Sequence, residues 1–162
     1  MFNIGDRILY PMHGAGVVDE IKEIDIMGKK QNYYVLKIFV GNLTVQIPVA
    51  NAEGLGVRYV VGEDTADRVL ELLESREPSP EEDNNWSKRY RANLDLIKEG
   101  DIFEVALIVK TLMLRDKEKS LSTGERKMLS TAKHILVSEM ACSKNIDADK
   151  MDRIITERIL GT

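Results

Sequence analysis

The distribution of glycine is the feature of this 162-residue sequence that most constrains its fold. Eight of the eleven glycines lie in residues 1–62, whereas residues 63–162 hold only three. Glycine is common in turns between short strands and unfavourable inside helices. Charge divides in the same place, because residues 1–62 carry six basic and six acidic side chains and residues 63–162 carry 17 and 21. The sequence therefore predicts an α+β protein with two domains, a strand-rich one over 1–62 and a helical one over 63–162.

The N-terminal part shows the alternation of apolar and polar residues that is typical of strands. In residues 43–49 every second residue, from Leu43 to Val49, is apolar. The pair Gly41-Asn42 just before this run is a hairpin signal. The expected strands are 7–10, 17–26, 33–40 and 43–49. Four or five short strands in about 60 residues predict a small β-barrel of the Tudor or SH3 type.

Pro48 bears on the position of the strand over 43–49. Proline cannot donate a hydrogen bond to a sheet, so it occurs on edge strands or at strand ends. If the strand is an edge, its outer side can recruit a strand from a partner. The plainer alternative is that Pro48 only ends the strand, and the sequence leaves both alternatives open.

The C-terminal part predicts five amphipathic helices joined by short connections, which is typical of a compact bundle. The acidic stretch 77–85, with two prolines, is interpreted as a connection inside this bundle. Asp64 or Thr65 is expected to cap the first helix, and the second is expected to run from Asn85 to Lys98 with Gly100 just beyond its end. The third is expected to start near Asp101. Ser122 and Glu125 form a capping box for the fourth helix, and Asp147 is expected to cap the fifth.

Several classes of protein are disfavoured by composition. No run of about 18 apolar residues exists, so no membrane span is expected. The N-terminus does not resemble a signal peptide, and the single cysteine, Cys142, cannot form an internal disulfide. These features favour the cytoplasm. The net charge of −4 argues against a general nucleic-acid coat protein but permits local basic contacts.

Catalytic and metal-binding patterns are poor. The two histidines, His13 and His134, have no cysteine or carboxylate neighbours at the spacing of a zinc site. Cys142 has no base beside it in the sequence, and no phosphate-binding or nucleophile-elbow motif is present. We expect no metal, no cofactor and no enzymatic activity.

The most unusual segment surrounds the single tryptophan, Trp86, which precedes three basic residues, Lys88, Arg89 and Arg91. On a helix, Trp86 shares a stripe with Tyr90, so it can simply begin the core face while the cations are solvated. Alternatively, Trp86 projects from the helix end, because it lies in the first turn and side chains tilt toward the N-terminus. An exposed ring beside cations suits stacking on bases, with the cations on phosphates.

The sequence resembles the CarD/CdnL family of bacterial transcription regulators, which bind RNA polymerase. The resemblance covers essentially the whole chain and rests on four segments in order, YPMHGAG at 10–16, IPVANAEGLGVRYVV at 47–61, NWSKRYRAN at 85–93 and LSTGERKMLSTAKHILVSE at 121–139. The N-terminal part is also similar to the polymerase-interacting domain of transcription-repair coupling factors.

The resemblance implies a function for each domain. The N-terminal domain would dock on the polymerase β subunit through its sheet edge, at Leu43, Thr44, Val45, Gln46, Ile47 and Pro48. The helical domain would lie over promoter DNA at the upstream edge of the −10 element. There Trp86 would wedge into the minor groove, with Lys88, Arg89 and Arg91 on the backbone, and alter the stability of the open complex. The family implies no active site and no cofactor.

One departure concerns charge at the docking edge. Better-known members of the family have basic residues at the positions of Gln46 and Ile24, and both are neutral here. Docking would then depend more on backbone pairing. We expect a monomer when free, associated with the nucleoid through the polymerase. The competing hypothesis is a protein-only adaptor, whose acidic charge keeps DNA away.

Overall fold

The structure is a computed structural model that describes residues 1–75 and 85–161. The strands are β1 (Arg7–Tyr10), β2 (Gly14–Ile26), β3 (Lys29–Ile38), β4 (Thr44–Pro48) and β5 (Arg58–Tyr59), and the helices are α1 (Glu63–Glu74), α2 (Trp86–Glu99), α3 (Ile102–Glu118), α4 (Thr123–Lys144) and α5 (Ala148–Leu160). Strands precede helices, which confirms the α+β class. The connection predicted over 77–85 lies, except for Asn85, outside the described residues.

The five strands form one antiparallel sheet in the order β4-β3-β2-β1-β5. The predicted barrel is not closed, because β4 pairs only with β3 and β5 only with β1 among the described strands. Closure would require a ladder between the two edges, and β5, with two residues, is too short to build one. The chain between β4 and β5 instead covers the apolar face of the sheet, where Ala52 and Val57 join the buried cluster of Ile8, Leu36 and Ile47.

Both alternatives for Pro48 describe the structure. Pro48 is the last residue of β4, and β4 is an edge strand. The preceding strand, β3, begins at Lys29, four residues before the expected start. It therefore forms a long hairpin with β2 through Met27 and Gly28, whose φ angles of 52° and 80° suit a tight two-residue turn.

Helix boundaries agree with most of the predicted signals. Asp101 and Asp147 cap α3 and α5 through hydrogen bonds from their side chains to backbone N–H groups. The prediction for α1 is wrong, because Gly62 occupies the cap position without a side-chain bond. Asp64 lies inside the first turn instead, where a negative charge is favoured by the helix dipole.

The sheet and the helices are joined by a buried ion pair, which we call the Arg58–Glu139 clasp. Arg58, on β5, donates from Nη1 and Nη2 to the two carboxylate oxygens of Glu139 on α4, at 2.7 and 2.9 Å. Glu139 is 1% exposed and also accepts the Val61 N–H at 3.0 Å. A charge can be buried when it is paired and hydrogen-bonded in this way.

Glycines allow α4 to approach β2 closely. The Ser138 hydroxyl on α4 accepts the N–H of Ala15 at 2.9 Å and donates to the carbonyl of Ile135. A Cβ atom on Gly14 would lie 3.0 Å from that hydroxyl oxygen, and one on Gly16 would lie 2.2 Å from the carbonyl oxygen of Lys37. Side chains at these two positions would separate the helix from the sheet or β2 from β3.

The helices form a second core that also takes in part of the sheet. Its buried residues come from all five helices, and Leu9 and Ala15 join them from β1 and β2. Lys110 on α3 is 6% exposed and donates from Nζ to the carbonyls of Leu72 and Ser75 at the end of α1. Among the described residues, no helix is long and apolar enough to cross a membrane.

Candidate functional site

The helix α2 begins at Trp86, one residue after the predicted start at Asn85, which is its cap. The Asn85 Oδ1 atom accepts hydrogen bonds from the N–H groups of Ser87 and Lys88 at 3.0 and 3.2 Å. This side-chain cap replaces two bonds that the first turn of a helix otherwise lacks. Trp86 is therefore the first residue of a well-defined helix end, which we call the α2 tip.

Burial along the apolar stripe of α2 increases from the tip inward. Trp86 is 43% exposed, Tyr90 and Leu94 are partly buried, and Ile97 is 1% exposed. The stripe is therefore part of the core at Ile97, whereas at Trp86 it projects from the end of the helix. The tip end leaves almost half of the indole accessible to a partner.

The indole of Trp86 rests on two neighbours. Its ring stacks on the ring of Tyr90, with centroids 5.2 Å apart and planes 18° apart. Its far edge lies over Gly124 in the first turn of α4, where an added Cβ would stand 3.3 Å from Cζ2 and 3.6 Å from Cη2 of the indole. Sequence reasoning missed Gly124, because its contact joins residues 38 positions apart.

The three predicted basic residues have different surroundings. Lys88 and Arg91 are exposed near the α2 tip. Arg89 has a side chain only 17% exposed, with Nη2 3.5 Å from Oε2 of Glu125. The same oxygen accepts a hydrogen bond from Arg115 at 2.8 Å. Lys88 and Arg91 are accessible to an anion, whereas Arg89 links α2 to α4 through Glu125.

The Glu125 carboxylate corrects part of the predicted capping box. Ser122 accepts the Glu125 N–H at 3.2 Å, which is one half of the box. The carboxylate is buried and turned toward Arg115 and Arg89 instead of serving only its own helix end. The start of α4 is thereby fixed to both α2 and α3.

Other basic residues lie close in sequence to the same helix start. Arg126 and Lys127 follow Glu125, and Lys119 precedes α4. All three are exposed. The sequence signal for two of them is the basic pair Arg126-Lys127 just after Gly124. Together with Lys88 and Arg91, they make this end more positive than the whole chain, whose net charge is −4.

The edge strand β4 presents backbone groups in alternation. The N–H of Ile38 donates to the carbonyl of Leu43 at 2.8 Å, and the register continues with Leu36 opposite Val45. In an antiparallel pair every second residue bonds to the partner strand. Thr44 and Gln46, which lie between the bonded positions, therefore direct their N–H and C=O groups away from β3.

The side chains of the predicted docking residues differ in exposure. Leu43, Thr44 and Gln46 are exposed, and Val45 and Pro48 are partly buried. Ile47 is fully buried in the sheet core, so only its backbone lies at the edge. The accessible part of the edge consists of outward backbone groups around Gln46 together with neutral side chains.

The C-terminal end of α2 connects the tip to the sheet. Gly100 ends the helix with a φ of 80°, and its carbonyl accepts a hydrogen bond from Nη2 of Arg58 at 2.7 Å. A Cβ on Gly100 would lie 3.0 Å from Cγ of Pro11, in the turn after β1. The C-terminal end of α2 thus contacts β5 and the turn after β1, in the same sheet as β4.

The residues considered for catalysis have structural surroundings. His13 packs on Tyr10 with ring centroids 4.2 Å apart, and His134 lies beside Gly14. Cys142 is buried, and the burial raises the pKa of its thiol, so the reactive thiolate is disfavoured. Within residues 1–75 and 85–161, no group of three histidine, cysteine or carboxylate side chains could hold a metal ion.

Comparison with known proteins identifies both halves. Residues 2–61 match the CarD-like/TRCF RID domain, and residues 68–156 match the CarD C-terminal domain. YdeB of Bacillus subtilis (strain 168), which carries a transcription-factor name, is 38% identical over 149 residues, covering 90% of this chain and 94% of YdeB. CarD-like transcription factors are not enzymes, which confirms that prediction. The chain belongs to the CarD/CdnL family.

Proposed function

We propose that this protein is a transcription regulator that binds the RNA polymerase β subunit through β4 and promoter DNA through the α2 tip. At the upstream edge of the −10 element, Trp86 acts as a wedge in the minor groove and alters the stability of the open complex. The observation that carries the proposal is the half-exposed indole at the end of a helix whose other end is seated on the sheet.

Docking on the polymerase is supported by the match of residues 2–61 to the CarD-like/TRCF RID domain and by the geometry of β4. An extended segment of the β subunit can add to β4 as a strand, through the outward backbone groups of Thr44 and Gln46. Backbone pairing needs no charge. The neutral residues Gln46 and Ile24 are therefore compatible with docking.

Contact with DNA is supported by the α2 tip. An exposed indole can stack on a base where the duplex has opened, and this contact disfavours closing. Lys88 and Arg91 can contact the flanking phosphates, while Arg89 acts mainly by holding α2 against α4. Because the whole chain is acidic, the tip would bind DNA weakly unless attachment to the polymerase raised its local concentration.

The stacking energy expected for Trp86 is large enough to change the lifetime of the open complex. Stacking of a base on an aromatic side chain contributes about 1–3 kcal/mol. A change of about 1.4 kcal/mol corresponds to about tenfold in a rate or equilibrium constant. One side chain at the α2 tip can therefore change the lifetime of an open complex substantially.

The test is the lifetime of open complexes on a linear promoter with wild-type protein and Trp86→Ala. We expect the variant to bind the polymerase normally and to lose about tenfold of the effect on lifetime, the loss of one stacked base. Phe103→Ala is the matched control, because Phe103 is 36% exposed in the first turn of α3. An unchanged lifetime with Trp86→Ala, at confirmed polymerase binding, would remove the wedge.

The protein-only adaptor is the competing function, and the net charge of −4 favours it. It predicts that the protein is retained with the polymerase while promoter footprints are the same with and without it. A footprint that changes near the −10 element in wild type and reverts in Trp86→Ala would exclude the adaptor.

A further inference from the structure

The contacts of Trp86 define how its indole can be used. Tyr90 stacks on one face at a centroid distance of 5.2 Å and an interplanar angle of 18°. At this distance and angle the two rings are offset-stacked, so Tyr90 covers part of one face of the indole. With 43% of the residue still exposed, the opposite face is the one left for a partner. The indole at the α2 tip is therefore accessible from one side.

Gly124 is the second part of this arrangement. An added Cβ would stand 3.3 Å from Cζ2 of Trp86 and 3.6 Å from Cε2 of Tyr90, so it faces both rings. A contact of 3.3 Å is tighter than most carbon–carbon contacts in proteins, and a bulkier side chain would displace the rings. Glycine has a low helix propensity, yet it stands here in the first turn of α4. The close approach of the two rings explains why a residue without a side chain occupies position 124.

The backbone around Gly124 is also fixed. Ser122 caps α4 through the N–H of Glu125, and the Glu125 carboxylate is paired with Arg115 and Arg89. Arg89 lies on α2 between Trp86 and Tyr90. The two helix starts are therefore tied together beside the stacked rings, and the indole rests on a rigid surface.

We propose that Tyr90 and Gly124 are positioning residues that form a seat for the Trp86 indole and hold it as a one-sided stacking surface. This deepens and rests on the proposed function. With Tyr90 on one face, the indole caps a single base at the edge of the opened duplex instead of entering between two bases. Holding the ring in advance also avoids the loss of side-chain freedom on binding.

The first experiment measures the indole in the free protein. Trp86 is the sole tryptophan of the sequence, so intrinsic fluorescence reports on it alone. In Tyr90→Leu and Gly124→Val, we expect the acrylamide quenching constant to rise up to about twofold, because an exposed fraction of 43% can little more than double. Gly124→Ala should give a smaller rise. Tyr59→Leu, which removes an exposed tyrosine on β5, is the control and should not differ from wild type.

Quenching that is the same in wild type, Tyr90→Leu and Gly124→Val would overturn the seat, whatever the protein does in transcription. Thermal unfolding of each variant shows whether it is folded. Tyr90→Leu keeps an apolar side chain at a partly buried position, and Gly124→Ala improves helix propensity, so these two variants keep the test decisive if Gly124→Val does not fold.

The second experiment measures function. With polymerase binding intact, Tyr90→Leu and Gly124→Val should reduce the effect of the protein on open-complex lifetime by about two- to tenfold, the cost of immobilising one side chain. If Trp86→Ala reduced the effect on open-complex lifetime but Tyr90→Leu and Gly124→Val did not, the positioning role of Tyr90 and Gly124 would be overturned. No effect of Trp86→Ala would refute the proposed function, whereas the fluorescence result would still decide whether the seat exists.

The third experiment tests the single-base cap. Abasic sites are placed one at a time at the upstream fork, and wild-type protein is compared with Trp86→Ala on each template. The difference between the two proteins should vanish at one position only, where the stacked base is missing. Loss of the difference at two adjacent positions, one on each side of the ring, would indicate insertion between bases and overturn one-sided stacking.

Discussion

The β4 edge and the α2 tip offer opposite kinds of contact. At β4 the accessible groups are N–H and C=O atoms of the backbone around Gln46, which every amino acid except proline provides. At the α2 tip the proposed DNA contact depends on the identity of one side chain, the exposed Trp86. We infer that the sheet edge tolerates most substitutions and that the tip tolerates few.

This difference accounts for the neutral edge residues. A charge at Gln46 or Ile24 would add attraction to the proposed backbone pairing, so its absence would change the strength of docking more than its geometry. At the tip, no backbone group could replace the indole of Trp86. The sheet that carries β4 and the helix that carries the tip share a support in the Arg58–Glu139 clasp, because Arg58 on β5 also binds the Gly100 carbonyl at the end of α2.

The largest expected effect comes from removing this shared support. Glu139→Ala leaves Arg58 without its partner and should lower the free energy of unfolding by about 3 kcal/mol, the lower end for a buried pair because the Arg58 side chain is 32% exposed. Urea denaturation measures the change. Glu157→Ala, on the exposed side of α5, is the control and should stay within about 0.5 kcal/mol of wild type. A loss below about 1 kcal/mol would mean that the clasp does not join the two halves.

The next effect separates the backbone contact from the side-chain contact. Gln46→Pro removes an outward N–H without removing a bond to β3, because Gln46 is not at a bonded position. We expect polymerase affinity to fall about tenfold or more, the net value of a hydrogen bond plus the mismatch left in the partner strand. A binding titration with the isolated RNA polymerase β subunit measures this.

Gln46→Ala is the matched control for that substitution. It keeps the N–H and removes the side chain, so affinity should change less than about threefold if the backbone makes the contact. Equal losses with alanine and proline would show that the side chain, and not the strand edge, binds the polymerase. The comparison between edge and tip would then fail.

A moderate effect is expected where α2 begins. Asn85→Ala removes the side-chain cap and should cost about 1 kcal/mol of stability. Because the cap orders the turn that holds Trp86, tryptophan fluorescence should become more readily quenched in the same variant. Thermal unfolding and acrylamide quenching measure the two consequences. A loss of stability with unchanged quenching would indicate that the seat alone fixes the ring.

The smallest effect distinguishes basic residues that look alike in sequence. The logarithm of the effect on open-complex lifetime is plotted against the logarithm of the salt concentration. Lys88→Gln and Arg91→Gln should each reduce the magnitude of its slope by about 0.9, the contribution of one phosphate contact. Arg89→Gln should instead lower stability, because its side chain is largely buried against Glu125. A salt slope that depends equally on all three would place Arg89 on the DNA as well.

Local signals in the sequence predicted much of the fold. Asn85 and Gly100 mark the two ends of α2 because capping depends on residues a few positions apart. Pro48 indicated the edge strand for a similarly local reason, the missing N–H. The family resemblance added what local chemistry does not contain, the partners to be expected.

The rest depends on contacts between distant residues. Closure of the barrel was not decided by strand count, because it depends on whether the two-residue β5 can reach β4. Helical spacing placed Arg89 near Trp86 but gave no sign that Glu125 would hold it. The seat at Gly124 and the clasp at Glu139 join elements 38 and 81 residues apart, so no pattern along the chain announces them.

The length of α2 has a consequence for promoter choice. Its 14 residues span about 20 Å, since a helix rises about 1.5 Å per residue, and B-DNA advances about 3.4 Å per base pair. In the proposed function, an α2 helix that lies along the DNA axis would hold Trp86 about six base pairs from Gly100. The protein would then act as a ruler: it would select a position on the polymerase-bound promoter by geometry, and promoters of unrelated sequence would be engaged at the same place.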